Sequence, residues 1–340
     1  LSATSLDARR SRTILLEIRR EAEAAGLLEP SSRALALRAP LGLASLLTLL
    51  SLAWTAESQA VALVSGGLAG LACVQLGFIA HDAGHGSAGR SRFVNDLAGH
   101  LAFTILNGLG FQSWRVGHSA HHAFCQDESQ DPDMVVDVVL SLTPASAAKK
   151  RGLGRWLLPF QAWYLWPAAL LFAHSLRWQS LGRSYRRPGR YRADCLLLPL
   201  HYAGWLVLPV LVTGTGLGRS AAVYIACSSV MGVYLAVLFW VNHVGMPALP
   251  EGHSLTQLEQ QVLGTRNVRH ASWLDFFFGG LDFQIEHHLL PDLPSARLRE
   301  LQSISRRHCR AAGLRYHEEG FGSALASVSR HVWKLSQRRS

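Results

Sequence analysis

Acidic residues are scarce in this 340-residue chain, with 23 Asp and Glu against 33 Lys and Arg and a formal charge of +10. Such an excess invites a nucleic-acid reading. The arginines, however, sit beside long apolar runs, which is the pattern of a membrane protein facing the cytoplasm, and no nucleic-acid partner is expected. Cysteine is scarce too. Cys73, Cys125, Cys195, Cys227 and Cys309 are odd in number and contain no CxxC pair, which argues against a disulfide framework and against a zinc ribbon. A cleavable leader is not expected, because the first forty or so residues are charged and the first apolar run comes late. Internal repeats and low-complexity tracts are also missing.

Hydrophobic residues make up 49% of the chain, an ordinary share, and it is their clustering that sets the class. Runs at 39–57, 59–80, 196–217 and 221–246 each approach the roughly twenty residues that cross a bilayer as a helix. Short links follow the first and the third, so the four runs read as two hairpins. A fifth run, 157–176, has basic flanks on both sides: Lys149, Lys150, Arg151 and Arg155 before it, and Arg177, Arg183, Arg186, Arg187, Arg190 and Arg192 after it. Both flanks then face the cytoplasm. The run, which carries Pro159, Gln161, Trp163, Tyr164, Trp166 and Pro167, is expected to lie along the interface.

The expected fold is therefore an all-α integral membrane protein, multi-pass, with four transmembrane helices in two hairpins, interfacial helices and a cytoplasmic cap. Residues 1–38 form an N-terminal amphipathic segment on the cytoplasmic side. Within it, 5–27 reads as a solvated or interface-lying helix with Ile14, Leu15, Ile18 and Ala22 on one side. Residues 39–300 form the membrane domain. Residues 301–340 form a basic cytoplasmic tail whose Arg330, Lys334, Arg338 and Arg339 suit anionic headgroups.

Three histidine clusters punctuate the polar stretches. His81-Asp82-Ala83-Gly84-His85 follows the second run, with imidazoles at i and i+4. His118-Ser119-Ala120-His121-His122 places them at i, i+3 and i+4, and Gln284-Ile285-Glu286-His287-His288 repeats that spacing with an amide in the first position. On a helix each set shares one face. One such cluster alone is an ordinary polar helix face, whereas three favour a metal centre. Imidazole suits iron, zinc and copper alike, but the number of donors is too large for one tetrahedral zinc. Asp82 and Glu286 fall off the ligand faces and are expected to support the ligands from behind. Asp127, Glu128, Asp131 and Asp133 either order the second cluster in the same way or form a solvated acidic turn. His100, without a partner at ligand spacing, reads as structural.

These stretches resemble the histidine boxes of the membrane fatty acid desaturases, written here HDAGH, HSAHH and QIEHH. Gly86-Ser87 after the first box, Trp114 before the second and Gly279-Gly280-Leu281-Asp282-Phe283 before the third carry the likeness further. It runs from about residue 40 to about 300, and three ordered boxes are a specific signal. Glutamine at the head of the third box is similar to the front-end acyl desaturases. The resemblance implies that a histidine ending the fourth crossing completes the set, which points to His243. The implied ligands are then His81, His85, His118, His121, His122, His243, Gln284, His287 and His288, serving two iron ions. The resemblance also implies an oxidoreductase that uses O2 and two electrons to form a cis double bond in a fatty acyl chain, as an acyl-lipid or acyl-CoA. Front-end chemistry would set the new bond on the carboxyl side of an existing one.

A related hydroxylase or ketolase acting on a lipid or carotenoid is the nearest alternative, separated from desaturation by product mass. A metal transporter would distribute its ligands inside the crossings near the midplane, whereas these gather at the ends. Many front-end desaturases carry a fused cytochrome b5-like domain with an HPGG motif. No such motif occurs here and about forty residues precede the first crossing, so a separate donor, a ferredoxin or a cytochrome b5-like protein, is expected beside the acyl substrate, O2 and membrane lipids.

Charge distribution makes the topology testable. Tags at the N-terminus, near Gly189 and at the C-terminus should all report one side, the cytoplasm, and a tag in 213–219 the opposite side. A Gly189 tag on the far side would mean that 157–176 crosses.

Overall fold

The computed structural model of the chain describes residues 6–30, 32–134, 140–269 and 271–337. These residues are mainly α-helical and fall into two compact units that interleave along the sequence. The first unit is Pro30–Val116 with Pro167–Ala236; the second takes Leu1–Glu29, Gly117–Trp166 and Val237–Ser340.

Among the described residues four helices are long and apolar enough to cross a membrane: Ala36–Thr55, Gln59–Gly84, Arg192–Thr213 and Leu217–His243. They overlap the four apolar runs with ends displaced by up to four residues, and His81 falls within the second helix rather than after it. A spanning helix satisfies every backbone polar group internally, which hydrocarbon demands. Only 22% of the apolar window of the first and of the third is buried by protein, and Leu37, Leu41, Leu211 and Val212 stand exposed. Apolar surface on that scale suits lipid rather than water.

Gln59–Gly84 is the centre of the first unit, with 72% of its apolar window buried. Gly66 and Gly70 form a small-xxx-small pair facing the 217–236 stretch. A Cβ on Gly70 would lie 2.4 Å from the Cys227 carbonyl oxygen and 2.9 Å from the Met231 nitrogen. Two backbones meet there, and only glycine permits it.

Two π-helical segments, His100–Leu106 and Ala203–Val207, interrupt the regular ladders of this unit. Side chains take up the freed groups. His201 Nδ1 donates to the Ile105 carbonyl at 2.9 Å, and the Tyr224 hydroxyl donates to His201 Nε2 at 2.9 Å. His100 is structural, as its spacing suggests, with Nδ1 3.0 Å from Thr104 Oγ1.

Arg177 departs from the expectation of a basic flanking loop. It lies within helix Phe172–Arg186 and is 3% exposed. Its Nε donates to the Asn107 carbonyl at 2.8 Å, its Nη1 to Ser228 Oγ, and its guanidinium sits over the Tyr224 ring. The carbonyl left open where the π-segment ends is what draws the charge inward. The apolar run before it is broken into Gly152–Leu157, a tight turn Leu158–Phe160 and Gln161–Ala169, with Pro159 and Pro167 among these residues. Trp156 and Trp163 are exposed, as interface-seeking aromatics are.

In the second unit the N-terminal helix Ala8–Ala24 starts at Asp7, whose Oδ1 accepts from Arg10 N at 2.7 Å. It buries Ile14, Ile18 and Ala22 against the unit rather than lying free, and its charged flank is paired. Arg19 grips Asp292 through two bonds of 3.2 and 2.6 Å, and Glu21 takes His308 at 2.7 Å and Arg307. Helices Leu298–Ala311 and Phe321–Ser336 bury Leu298, Leu301 and Cys309, and Ala324, Val328 and Val332, respectively. Among the described residues the exceptions to an all-α chain are a parallel pair, Asn267–Val268 with Glu318–Glu319, and an isolated bridge between Asp127 and Leu249. Arg338 and Arg339 of the basic end lie outside the described residues.

Gly70→Val should lower thermal stability in detergent by about 1–3 kcal/mol or more through overpacking. Gly182→Ala, on a helix face with nothing within 4 Å, should be neutral or slightly stabilising in the same melt.

Candidate metal centre

Helix ends deliver the ligands. His118, His121 and His122 occupy the last turns of helix Phe111–Ala123, and the third box is the short helix Gln284–Leu289. His243 is the last residue of Leu217–His243. That end is fixed by Gly245, whose φ of +88° lets the chain turn away. Arg266, 2% exposed, donates from Nε to the Val241 carbonyl at 2.6 Å and from Nη2 to Val244 at 3.0 Å. Its charge sits where the helix dipole is negative and the last carbonyls lack partners. Gln126 Nε2 donates to the His243 carbonyl at 2.8 Å.

Six of the expected imidazoles come together in the second unit. Ring centroids lie 4.7 Å apart for His118 and His122, 4.6 Å for His122 and His287, and 4.3 Å for His122 and His288. His121 is 4.9 Å from His243 and 5.0 Å from His288. His81 and His85 form their own pair in the first unit, where Gln59–Gly84 ends, with rings 4.9 Å apart and Trp114 5.8 Å from His81.

His121 and His288 are each held on one side of the ring by a neighbouring side chain. Asp131, 1% exposed, meets His121 Nδ1 through both oxygens at 3.0 Å and accepts from Gln126 N at 2.8 Å. Burial disfavours a charge on His121, but Asp133 and Asp131 together hold its pKa above the ordinary histidine value. Gln261 Oε1 takes His288 Nδ1 at 2.7 Å, while its Nε2 donates to the His122 carbonyl at 2.9 Å. Gln284 reaches His243 rather than standing apart: its nitrogen lies 3.1 Å from His243 Nε2, and its oxygen accepts from Asn242 Nδ2 at 3.2 Å.

The acidic residues divide by role. Asp131 backs a ligand, whereas Asp127 closes its own turn by accepting from Ser129 N at 2.8 Å and Ser129 Oγ at 2.7 Å. Asp82 Oδ1 is 3.5 Å from His81 Nδ1. Glu286 turns off the ligand face, as its spacing requires, and accepts from Asn267 Nδ2 at 2.7 Å and the Tyr316 hydroxyl at 2.8 Å. Burial, opposed by those two bonds, pushes its carboxyl up to about 7.

Imidazoles packed this closely cannot all carry a proton. Burial and the neighbours His122, His121, His243 and His118 hold His288 well below its ordinary value. With Nδ1 anchored by Gln261, the nitrogen His288 can offer is Nε2, which is buried and takes no hydrogen bond. His288, anchored on one nitrogen and bare on the other, has the form of a ligand for a divalent transition metal.

One group here was not singled out from sequence. Cys125 is wholly buried, and its candidate donor atom lies within 4.8 Å of those of His121, His243 and His288. Burial, with Asp131 and Asp133 nearby, pushes its thiol well above the ordinary value. Its place three residues beyond the second box was the available signal. Gln261 and Asn242 were visible only as polar residues in apolar company.

The family model described as Fatty acid desaturase matches residues 58–320. An acyl-lipid (9-3)-desaturase of Borago officinalis is 32% identical over 284 residues, covering 79% of this chain and 62% of that protein. A delta(8)-fatty-acid desaturase of Helianthus annuus is 28% identical, covering 77% of this chain and 60% of that one. A delta 8-(E)-sphingolipid desaturase of Kluyveromyces lactis is 29% identical, covering 85% and 52%. The chain thus spans between 52% and 62% of the length of these relatives.

Asp131→Ala should weaken metal retention about 10- to 100-fold, the usual cost of removing the partner behind a ligating histidine. Asp127→Ala should change it far less. Metal content after graded chelator dialysis checks both.

Proposed function

Because the chain belongs to the fatty acid desaturase family, we propose that it is an integral membrane, O2-dependent desaturase that places a cis double bond in the acyl chain of a lipid or an acyl-CoA. The observation that carries this reading is the gathering of His118, His121, His122, His243, His287 and His288 into one largely buried cluster, with His121 anchored by Asp131 and His288 by Gln261.

The proposed ligands of two iron ions are those six with Gln284 and with His81 and His85, which join on the strength of the first histidine box. Bound iron supplies the oxidising power to remove hydrogen from an unactivated methylene, which no side chain has. The chain's own residues do the rest. Asp131 and Gln261 fix which nitrogen of His121 and of His288 faces inward. Glu286, Asn267 and Tyr316 lock the third-box helix in place. The apolar crossings receive the acyl chain and exclude water around it.

Four crossings in two hairpins would leave both termini and the boxes at the cytoplasmic face, as a cap over the membrane domain. Electrons would arrive there from a separate ferredoxin or cytochrome b5-like donor, for which a basic face is suited. Gln284 favours front-end chemistry, and the relatives named for acyl-lipid, fatty-acid and sphingolipid desaturation widen the substrates to be tried.

Expression in a desaturase-deficient host, with fatty acids and sphingoid bases profiled and double bonds mapped, tests the reading. The expected product has lost two hydrogens and carries its new bond between the carboxyl end and an existing bond. A product that has gained oxygen instead would make the chain a hydroxylase. Purified protein should hold about two irons per chain. His121→Ala and His287→Ala should each abolish activity while membrane insertion persists.

A further inference from the structure

We propose that Cys125 is a metal ligand: its Sγ, with one nitrogen each from His121, His243 and His288, makes a four-donor position for a borderline-soft divalent ion such as zinc or cobalt(II). The proposal rests on the histidine cluster being a metal centre and makes its two positions chemically unequal.

The four candidate donor atoms lie within 4.8 Å of one another. Cys125 Sγ stands 4.0 Å from His243 Nδ1 and 4.0 Å from the Gly264 carbonyl, contacts too long to satisfy a thiol strongly. The turn that puts it there is tightly held. Gln126 takes a φ of +65°, uncommon for a residue other than glycine, and is tied by its backbone to Asp131 and by its side chain to the His243 and Gly264 carbonyls. The Cys125 carbonyl accepts from Gln260 Nε2 at 2.9 Å.

A second observation does not involve sulfur. His288 is 4% exposed, its Nδ1 is taken by Gln261, and its Nε2 is buried without a hydrogen bond. A buried acceptor of that kind costs free energy unless a cation or a proton donor meets it. His121, with Nδ1 on Asp131, likewise has only Nε2 to offer.

Imidazole nitrogen and thiolate sulfur are both zinc ligands, four of them suit its tetrahedral geometry, and cobalt(II) substitutes for it. Thiolate shifts preference toward softer ions than an all-imidazole set does. Binding is an acid–base step without redox change: the Sγ–H bond breaks, its electron pair forms the sulfur–metal bond, and the proton leaves to solvent. Zinc should therefore compete with iron at this position more strongly than at the all-histidine one.

Metal-stripped full-length protein in detergent, titrated with cobalt(II), gives the test. Expected is a sulfur-to-cobalt charge-transfer absorption in the parent that persists in Cys309→Ser and vanishes in Cys125→Ser. Cys125→Ala, which removes the donor without adding a hydroxyl, must behave as Cys125→Ser does. X-ray absorption of the zinc form should show sulfur at about 2.3 Å. Zinc affinity should fall at least as far as for loss of an outer partner, about 10- to 100-fold, in Cys125→Ser. Cobalt bound without a sulfur band, or a band that survives Cys125→Ser, overturns the ligand assignment and leaves the histidine centre standing. Protein that binds none of cobalt, zinc and iron overturns both.

Discussion

Crowding of neutral imidazoles in a dry interior is the constraint on which the second unit depends. Rings 4.3 to 5.0 Å apart repel one another once protonated, and burial makes each charge costlier still. The cluster exists only if most rings are neutral and each is held in one tautomer. The anchors around it fix tautomers, although Asp131 also favours the charge on His121 that the crowding opposes. Asp131 receives the Nδ1 proton of His121, Gln261 receives that of His288, and Gln284 sits against His243. Asn267 and Tyr316 hold the buried Glu286 carboxyl away from the face that carries His287 and His288.

Supports of this kind are expensive. A buried polar network stabilises only when its members are satisfied, and this one consists of glutamines, asparagines and an arginine drawn from well below the surface. The first unit solves a related problem in apolar surroundings. There the π-segments loosen backbone groups that Asn107, His201 and Arg177 take up, the last with its guanidinium against Tyr224 rather than a carboxylate. In both units the polar side chains go where a helix ends or slips its register.

Local spacing made the histidine clusters legible. Imidazoles at i, i+3 and i+4 fall on one face whatever the tertiary fold, and an apolar run of about twenty residues reads as a crossing from composition alone. What surrounds the ligands was less legible because it is long-range. Gln261 meets the His122 carbonyl across 139 residues, and Ser11 meets helix Gln257–Leu263 across 247. Asp127 and Asp131 look alike in sequence, but the turn after the second box sends one into its own backbone and the other under His121. Arg177 reads as one of a row of flanking cations until the open carbonyl of Asn107 is placed beside it. Cys125 was weighed only as a cysteine without a CxxC partner, so its place beside three imidazoles required the turn at Gln126.

Two neighbouring residues show how little chain aligns the ligand-bearing ends. Arg266 holds the Val241 and Val244 carbonyls and so sets where the helix carrying His243 stops. Asn267 accepts from Ile285 N at 2.8 Å and donates to Glu286, and so sets where the third-box helix starts. Asn267 pairs with Glu318, in a strand flanked by Tyr316, the other holder of Glu286, while Arg266 lies just before the pair and donates its N–H to the Asn242 carbonyl at 3.0 Å. Glu319 in turn lies 3.6 Å from Arg266 Nη1. Side chains alternate across a strand, so one residue of slippage would turn Asn267 to the opposite face, away from Ile285 and Glu286. A parallel pair of two residues each is negligible as a sheet. Its register nonetheless sets Asn267 against the third-box helix, next to the arginine that caps the helix ending at His243.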